Sequence, residues 1–197
     1  MENTFLPLIF RMKHINRWSL MYNTQQEDLM QHTVECAFIT NYLAVIGNRY
    51  FSKNHDINKL TTCALFHDIT EVLTGDLPTP IKYFNDEIKN IYGQIENVAA
   101  QKLKKHLPKD LVDDYDMYMD KDNLTAEERK ILKIADRLCA YIKCINELNA
   151  GNKEFQTPYA NIHSALASIE SEELKYFLDH CIASFSLSLH DLKGTLE

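Results

Sequence analysis

Residues 125–149 decide the fold class: Thr125-Ala126-Glu127-Glu128-Arg129-Lys130-Ile131-Leu132-Lys133-Ile134-Ala135-Asp136-Arg137-Leu138-Cys139-Ala140-Tyr141-Ile142-Lys143-Cys144-Ile145-Asn146-Glu147-Leu148-Asn149. Thr125 followed three residues later by Glu128 is a capping box, in which each side chain serves the other's backbone N–H. From there Ile131, Leu132, Ile134, Ala135, Leu138, Cys139, Ile142 and Ile145 recur at helical spacing and form a stripe broad enough to be buried. Ala150-Gly151-Asn152 closes the helix. A single carboxylate, Asp136, interrupts the apolar run.

Working outward, the same period predicts helices elsewhere. Segment 33–48 carries Val34, Ala37, Phe38, Tyr42, Val45 and Ile46 toward a stop at Gly47-Asn48. Segment 56–69 opens at Asp56, a helix-capping residue, and runs through Leu60, Cys63, Ala64, Leu65 and Phe66 into His67-Asp68. Ile88, Ile91, Ile95, Val98, Ala99 and Leu103 predict one face of a helix over 85–106, ended by Pro108. Leu174, Phe177, Leu178, Cys181, Ile182 and Phe185 predict a last helix over 171–190. Between Thr70 and Lys82, Gly75-Asp76 and the prolines at 78 and 80 predict a structured loop. Alternating strand patterns are missing, and 5 Gly and 5 Pro are few for a turn-rich β fold. The expectation is an all-α globule of six or seven helices, one domain over 1–197.

The 45% apolar and 25% charged fractions describe a chain able to bury a real core, which excludes a disordered one. The 28 acidic against 21 basic residues leave a formal charge of −7, which argues against wrapping a polymeric nucleic acid and leaves room for a small phosphate held by local cations. Five cysteines (Cys36, Cys63, Cys139, Cys144, Cys181) lack a CxxC pair and read as reduced core residues. The acidic start and the lack of a long apolar run predict a cytoplasmic protein without a membrane span.

Chemistry concentrates in four residues. His67-Asp68 sits where an apolar helix gives way to a loop, His32 precedes the 33–48 helix, and Asp136 needs compensation because an unpaired buried charge costs several kcal/mol. Taken alone, each has an ordinary alternative: a paired carboxylate, a hydrogen-bonded interior imidazole. Together, two imidazoles and two carboxylates from three helices suit Mn²⁺, Co²⁺, Fe²⁺, Ni²⁺ or Zn²⁺, with room in the shell for water and substrate. Glu71, four residues past His67 and three past Asp68, would share their face over a helical turn, a place suited to a general acid or base or simply to an exposed carboxylate.

The arrangement His32, His67-Asp68, Asp136 resembles the H…HD…D pattern of the HD-domain superfamily of metal-dependent phosphohydrolases, which are all-helical. More narrowly, Asn16-Arg17-Trp18, the block from His67 through Glu71, Asp76 and Pro80 to Phe84, and Ala135-Asp136-Arg137-Leu138 resemble the bacterial YfbR-type 5′-deoxynucleotidases over nearly the whole chain. The resemblance implies one divalent cation, cobalt, manganese or similar, on His32, His67, Asp68 and Asp136. It implies catalytic roles for Glu71, Asp68 and Arg17, and substrate contacts from Arg17, Trp18, Asp68, Asp76, Leu77, Pro78 and Thr79. A guanidinium suits phosphate oxygens, an indole can fill the space of a ribose 2′-hydroxyl, and Asp76 can accept from a 3′-hydroxyl or simply form a turn. The implied substrate is a deoxyribonucleoside 5′-monophosphate, and the implied assembly a homodimer. Two other readings stand beside it: an HD phosphohydrolase acting on an alarmone or nucleoside triphosphate, and a non-catalytic helical domain that senses a nucleotide.

Overall fold

The computed structural model describes residues 3–82 and 84–194, without the side chains of Thr79, Pro80 and Lys121. Eleven α-helices follow in order: α1 Phe5–Ile9, α2 Leu29–Tyr50, α3 Ile57–Phe66, α4 Glu71–Thr74, α5 Thr79–Lys82, α6 Asp86–Lys104, α7 Val112–Met119, α8 Ala126–Asn149, α9 Gln156–Ala167, α10 Glu172–His180 and α11 Leu189–Gly194. Seven of these reach eight residues, and no strand occurs among the described residues, so the all-α expectation of six or seven helices holds.

α8 forms as its sequence dictates. Thr125 N–H donates to Glu128 Oε2 at 2.8 Å and Glu128 N–H to Thr125 Oγ1 at 3.1 Å, closing the capping box. Lys59 of α3 reaches the same carboxylate at 3.0 Å, tying the start of α8 to its neighbour. α2 lies at the centre and packs on α3, α8 and α10. Its residues Cys36, Ile39, Leu43 and Ala44 meet Leu60 and Ala64 of α3 and Ile134, Leu138 and Ile142 of α8 in the main core. A second apolar cluster joins Phe5, Ile69, Leu103, Leu107 and Met119 below the loop that follows α3.

Several expectations need correction. α2 starts four residues early, capped by Asp28, whose carboxylate accepts from Gln31 N–H at 2.8 Å, so His32 lies inside the first turn instead of preceding the helix. Its buried face is the predicted one only at Ala37 and Ile46: Val34, Phe38, Tyr42 and Val45 are exposed, Phe38 by 72%. Gly47 does not stop the helix; a Cβ there would fall 2.9 Å from the His55 ring, which pairs with Glu173, so glycine lets that buried pair approach. On α6, Ile91, Ile95 and Val98 are exposed while Tyr92, Ala99 and Leu103 are buried. The segment 70–82 contains two single-turn helices, and the predicted last helix breaks after His180 into a 3₁₀ turn, leaving Phe185 exposed.

One irregular segment bears directly on the site. Residues 15–28 form a loop closed at its base, where Leu29 N–H donates to Ile15 C=O and Arg17 N–H to Glu27 C=O, each at 2.9 Å. Its far side is fastened to α8. Glu147, 1% exposed, accepts from Thr24 N–H at 2.9 Å, Thr24 Oγ1 at 2.7 Å, Gln25 N–H at 3.2 Å and Lys143 Nζ at 2.5 Å, and Lys143 also donates to the Gln25 carbonyl. Asn152 Nδ2 completes the set by donating to Glu147 at 2.8 Å and to the Tyr22 carbonyl at 2.9 Å. Burial would push the Glu147 carboxyl up, but Lys143, Asn152 and Thr24 outweigh it and hold the group well below its ordinary value of 4.5. A depressed value means that this stabilisation is full above about pH 4.5 and fades as pH falls below it. Glu147→Gln should therefore lose about 3–5 kcal/mol at neutral pH, because Lys143 stays buried without its counter-charge. In thermal melts its deficit against wild type should shrink as the pH drops below about 4.5, whereas a constant deficit would contradict this assignment.

Candidate metal centre

Four side chains from three separate stretches converge beside the turn that follows α3. His32 comes from the first turn of α2, His67 and Asp68 from the turn that ends α3, and Asp136 from the middle of α8; one ligand atom from each lies within 4.8 Å of the others. The closest approaches are His67 Nε2 to Asp68 Oδ2 at 3.0 Å, His32 Nε2 to Asp136 Oδ1 at 3.3 Å and His32 Nε2 to Asp68 Oδ2 at 3.5 Å. These are ion-pair distances, yet neither buried Nε2 makes a hydrogen bond of acceptable geometry. Side chains that aim at one point without bonding one another are what a shared ion requires. His67 Nδ1 lies 2.7 Å from the Ala64 carbonyl, which turns the ring so that Nε2 faces the cluster.

The electrostatics agree with that fit. Burial should lower both imidazoles, but the Asp136 and Asp68 carboxylates overrule it and raise His32 to about 9, while Asp68, with Cys36 and Asp136, raises His67 to about 10. The carboxyls move the opposite way: burial would raise Asp68 and Asp136, and the adjoining imidazoles hold both below the usual carboxylate range. Two carboxylates this close demand positive charge between them, which a divalent cation supplies more compactly than two protons. Asp136 is the most open of the four, with 42% of its side chain exposed, so the cluster meets solvent from the α8 side instead of being sealed in the core.

Around the cluster stand the other residues singled out from sequence. Glu71 opens α4 and is 4% exposed; burial, with Asp68 and Asp76 nearby, pushes its carboxyl up to about 8. Its Oε2 has no hydrogen-bond partner, and Lys82 Nζ stands 3.9 Å from Oε1. Arg17 places a guanidinium nitrogen 3.8 Å from Asp68. Trp18 packs its ring 5.3 Å from that of Phe155 and takes φ +56, a left-handed backbone that costs a side chain of this size about 1–2 kcal/mol. Gly75, at φ +76, supplies the turn after α4 that swings Asp76 back toward the site. Asp76 is half-buried, and burial raises its carboxyl against the pull of Arg17. Leu77 and Pro78 follow it, half-buried, and the side chain of Thr79 lies outside the described residues.

Three side chains in contact with the site residues escaped the sequence reading. Glu27, 5% exposed, accepts from Arg17 Nε at 2.8 Å and stands 3.9 Å from His32 Nδ1, so one carboxylate orients the guanidinium and faces the back of a cluster imidazole. The available signal was the pattern Asp28 then Gln31, which starts a helix and so places Glu27 just ahead of it. Lys82 bonds Glu96 at 3.0 Å and lies 4.5 Å over the Tyr92 ring, which holds its charge beside Glu71. Phe155 was invisible as a partner of Trp18 because 137 positions separate them.

Comparison with known proteins agrees with this geometry. A family model described as 5′-deoxynucleotidase YfbR-like matches residues 4–185. A 5′-deoxynucleotidase of Pectobacterium atrosepticum is 44% identical over 191 residues, 97% of this chain and 96% of that one. Among solved structures, an HD-domain phosphohydrolase of Listeria innocua superimposes with a TM-score of 0.83 at 20% identity, covering 96% of this chain and 92% of that one. The HD phosphohydrolase of cyanophage S-2L, solved with dA and one catalytic Zn²⁺, gives 0.64 at 18% identity over 90% of this chain and 96% of its own.

If the four side chains hold one ion together, His67→Ala or Asp136→Ala should drop tightly bound divalent metal from about one per chain to near zero, with helicity retained, as read by elemental analysis after gel filtration. Unchanged metal content in both variants would place the ion elsewhere.

Proposed function

The chain belongs to the YfbR-like 5′-deoxynucleotidase family, and from that membership we propose that it removes phosphate from deoxyribonucleoside 5′-monophosphates at the His32, His67, Asp68 and Asp136 cluster. The observation that carries this assignment is a buried carboxyl, Glu71, raised to about 8 and set one helical turn beyond two converging metal ligands, with a fixed guanidinium alongside. It is an enzyme of the phosphoric monoester hydrolase class.

A divalent cation bound by these four residues supplies Lewis-acid chemistry, offsetting charge on the phosphoryl oxygens and easing the deprotonation of water. Cobalt and manganese fit the nitrogen and oxygen donor set, and zinc joins them on the strength of the cyanophage neighbour. Arg17, kept in register by Glu27, donates to the remaining phosphate oxygens and resists their rotation. Glu71, its carboxyl pushed up by burial and by Asp68 and Asp76, can hand a proton to the 5′-oxygen of the departing nucleoside as water bonds to phosphorus and the P–O bond breaks, and the proton lost from that water restores it. Asp68, beside Arg17 and both imidazoles, orients the guanidinium and the metal-binding side chains that face the phosphate. Trp18 fills the space a 2′-hydroxyl would need, Asp76 accepts from the 3′-hydroxyl, and Leu77, Pro78 and Thr79 border the sugar and base.

No helix among the described residues is long and apolar enough to cross a membrane. We assign the enzyme to the cytoplasm, as one domain that works as a homodimer. The exposed stripe Val34, Phe38, Tyr42 and Val45 on α2 supports self-association, since an apolar row of this kind favours burial against a partner.

Phosphate release from dAMP, dTMP, AMP and UMP with Co²⁺ or Mn²⁺ tests the assignment: the deoxy substrates should be hydrolysed much faster, and equal rates on the two sugars would remove the discrimination. Glu71→Gln should lower kcat by about 10²–10⁴-fold with metal content intact. A fully active Glu71→Gln enzyme would take Glu71 out of the chemistry.

A further inference from the structure

The loop that carries Arg17 and Trp18 is held at its two ends by different devices. Arg17 is fixed locally, by the bond from its Nε to Glu27 and by its backbone N–H on the Glu27 carbonyl. Trp18 begins a separate closed turn, in which Met21 N–H and Asn23 Nδ2 both donate to the Trp18 carbonyl, at 3.0 and 3.1 Å. The chain then fastens to the end of α8 and to the residues just past it. Tyr22 gives its carbonyl to Asn152 and its N–H to Glu154 at 3.2 Å, while Thr24 and Gln25 give both of their N–H groups to Glu147. The same polar group also touches the indole's neighbour, because Lys143 Nζ lies 5.6 Å over the ring of Phe155, the ring against which Trp18 packs.

We propose that Glu147, acting with Lys143 and Asn152, is the positioning residue for Trp18 and thereby sets how strictly the enzyme rejects a ribose 2′-hydroxyl. This rests on the reading of Trp18 as the sugar-facing residue given above. The physical reason for a clamp is the left-handed backbone at residue 18, which an untethered loop would relax. Glu147 is well suited to prevent this: it is buried, it draws three donors from the loop, and its own orientation is fixed by Lys143 one turn earlier on α8 and by Asn152 just beyond the helix end. A Lys143–Glu147 pair this buried costs desolvation, and its bonds to the loop help to offset that cost. The phosphate end of the loop has its own anchor in Glu27, so loosening the clamp should act on the sugar more than on the phosphate.

Trp18 is the only tryptophan, so its fluorescence reports on the clamp without any turnover. Three variants test the proposal: Thr24→Ala, which trims an exposed loop residue and leaves α8 intact, Glu147→Gln, and the double change Lys143→Met with Glu147→Leu, which removes the clamp without stranding a buried charge. In each folded variant acrylamide should quench Trp18 more readily than in wild type, and the dAMP-to-AMP ratio of kcat/KM should fall, by about tenfold or more for the two α8 variants. The double variant should regain thermal stability over Glu147→Gln yet stay unselective, which a purely structural role would not produce. Wild-type quenching in the folded double variant, or increased quenching with an unchanged ratio, overturns the proposal. A wild-type enzyme that treats dAMP and AMP alike instead overturns the reading of Trp18, and the two failures are told apart because the quenching measurement needs no substrate.

Discussion

The structure depends on keeping two carboxylates within reach of the same two imidazoles while three different segments pull on them. Asp68 and Asp136 repel each other, and in a partly desolvated setting that repulsion is too strong to leave uncompensated. The imidazoles answer that repulsion: the two aspartates raise His32 and His67, and the positive charge this favours on the rings holds both carboxyls low. A cation resolves this, and the helices around it are arranged so that it can. α2 and α8 pack on each other through an apolar interface, which fixes His32 against Asp136, and α3 packs on α2 so that its terminal turn delivers His67 and Asp68.

The proposed function draws on what is left half-finished around the cluster. Glu71 is buried with one oxygen unpartnered, Arg17 is ordered by Glu27, and the loop bearing Trp18 is strapped down from behind. None of these arrangements is the cheapest way to stabilise a helical protein. A buried carboxyl, a strained backbone and a buried ion pair each cost stability, and the proposed phosphate chemistry, which depends on positioning, would account for them.

Much of this was legible in the chain. α8 announces itself through Thr125 and Glu128, and the H…HD…D spacing pointed to four residues that the fold does bring together. The errors have physical causes. α2 is apolar on two faces, so periodicity could not choose between Cys36, Ile39 and Leu43, which are buried, and Val34, Phe38 and Tyr42, which are not. α6 misled in the same way, because Ile91, Ile95 and Val98 form a regular stripe that stays in solvent. Lys143 and Glu147, four residues apart on a helix, look in sequence like an ordinary exposed ion pair. Only the return of residues 22–25 onto that face makes them a buried clamp, and such long-range closure leaves no local trace.

The central claim is that one ion sits among His32, His67, Asp68 and Asp136. Crystals grown with cobalt, examined by anomalous diffraction at the metal edge, test it most directly. The account predicts one strong peak per chain at about 2.0–2.2 Å from the two imidazole nitrogens and from an oxygen of each aspartate. A peak bonded to other residues, or four side chains lying together with no peak among them, would contradict it.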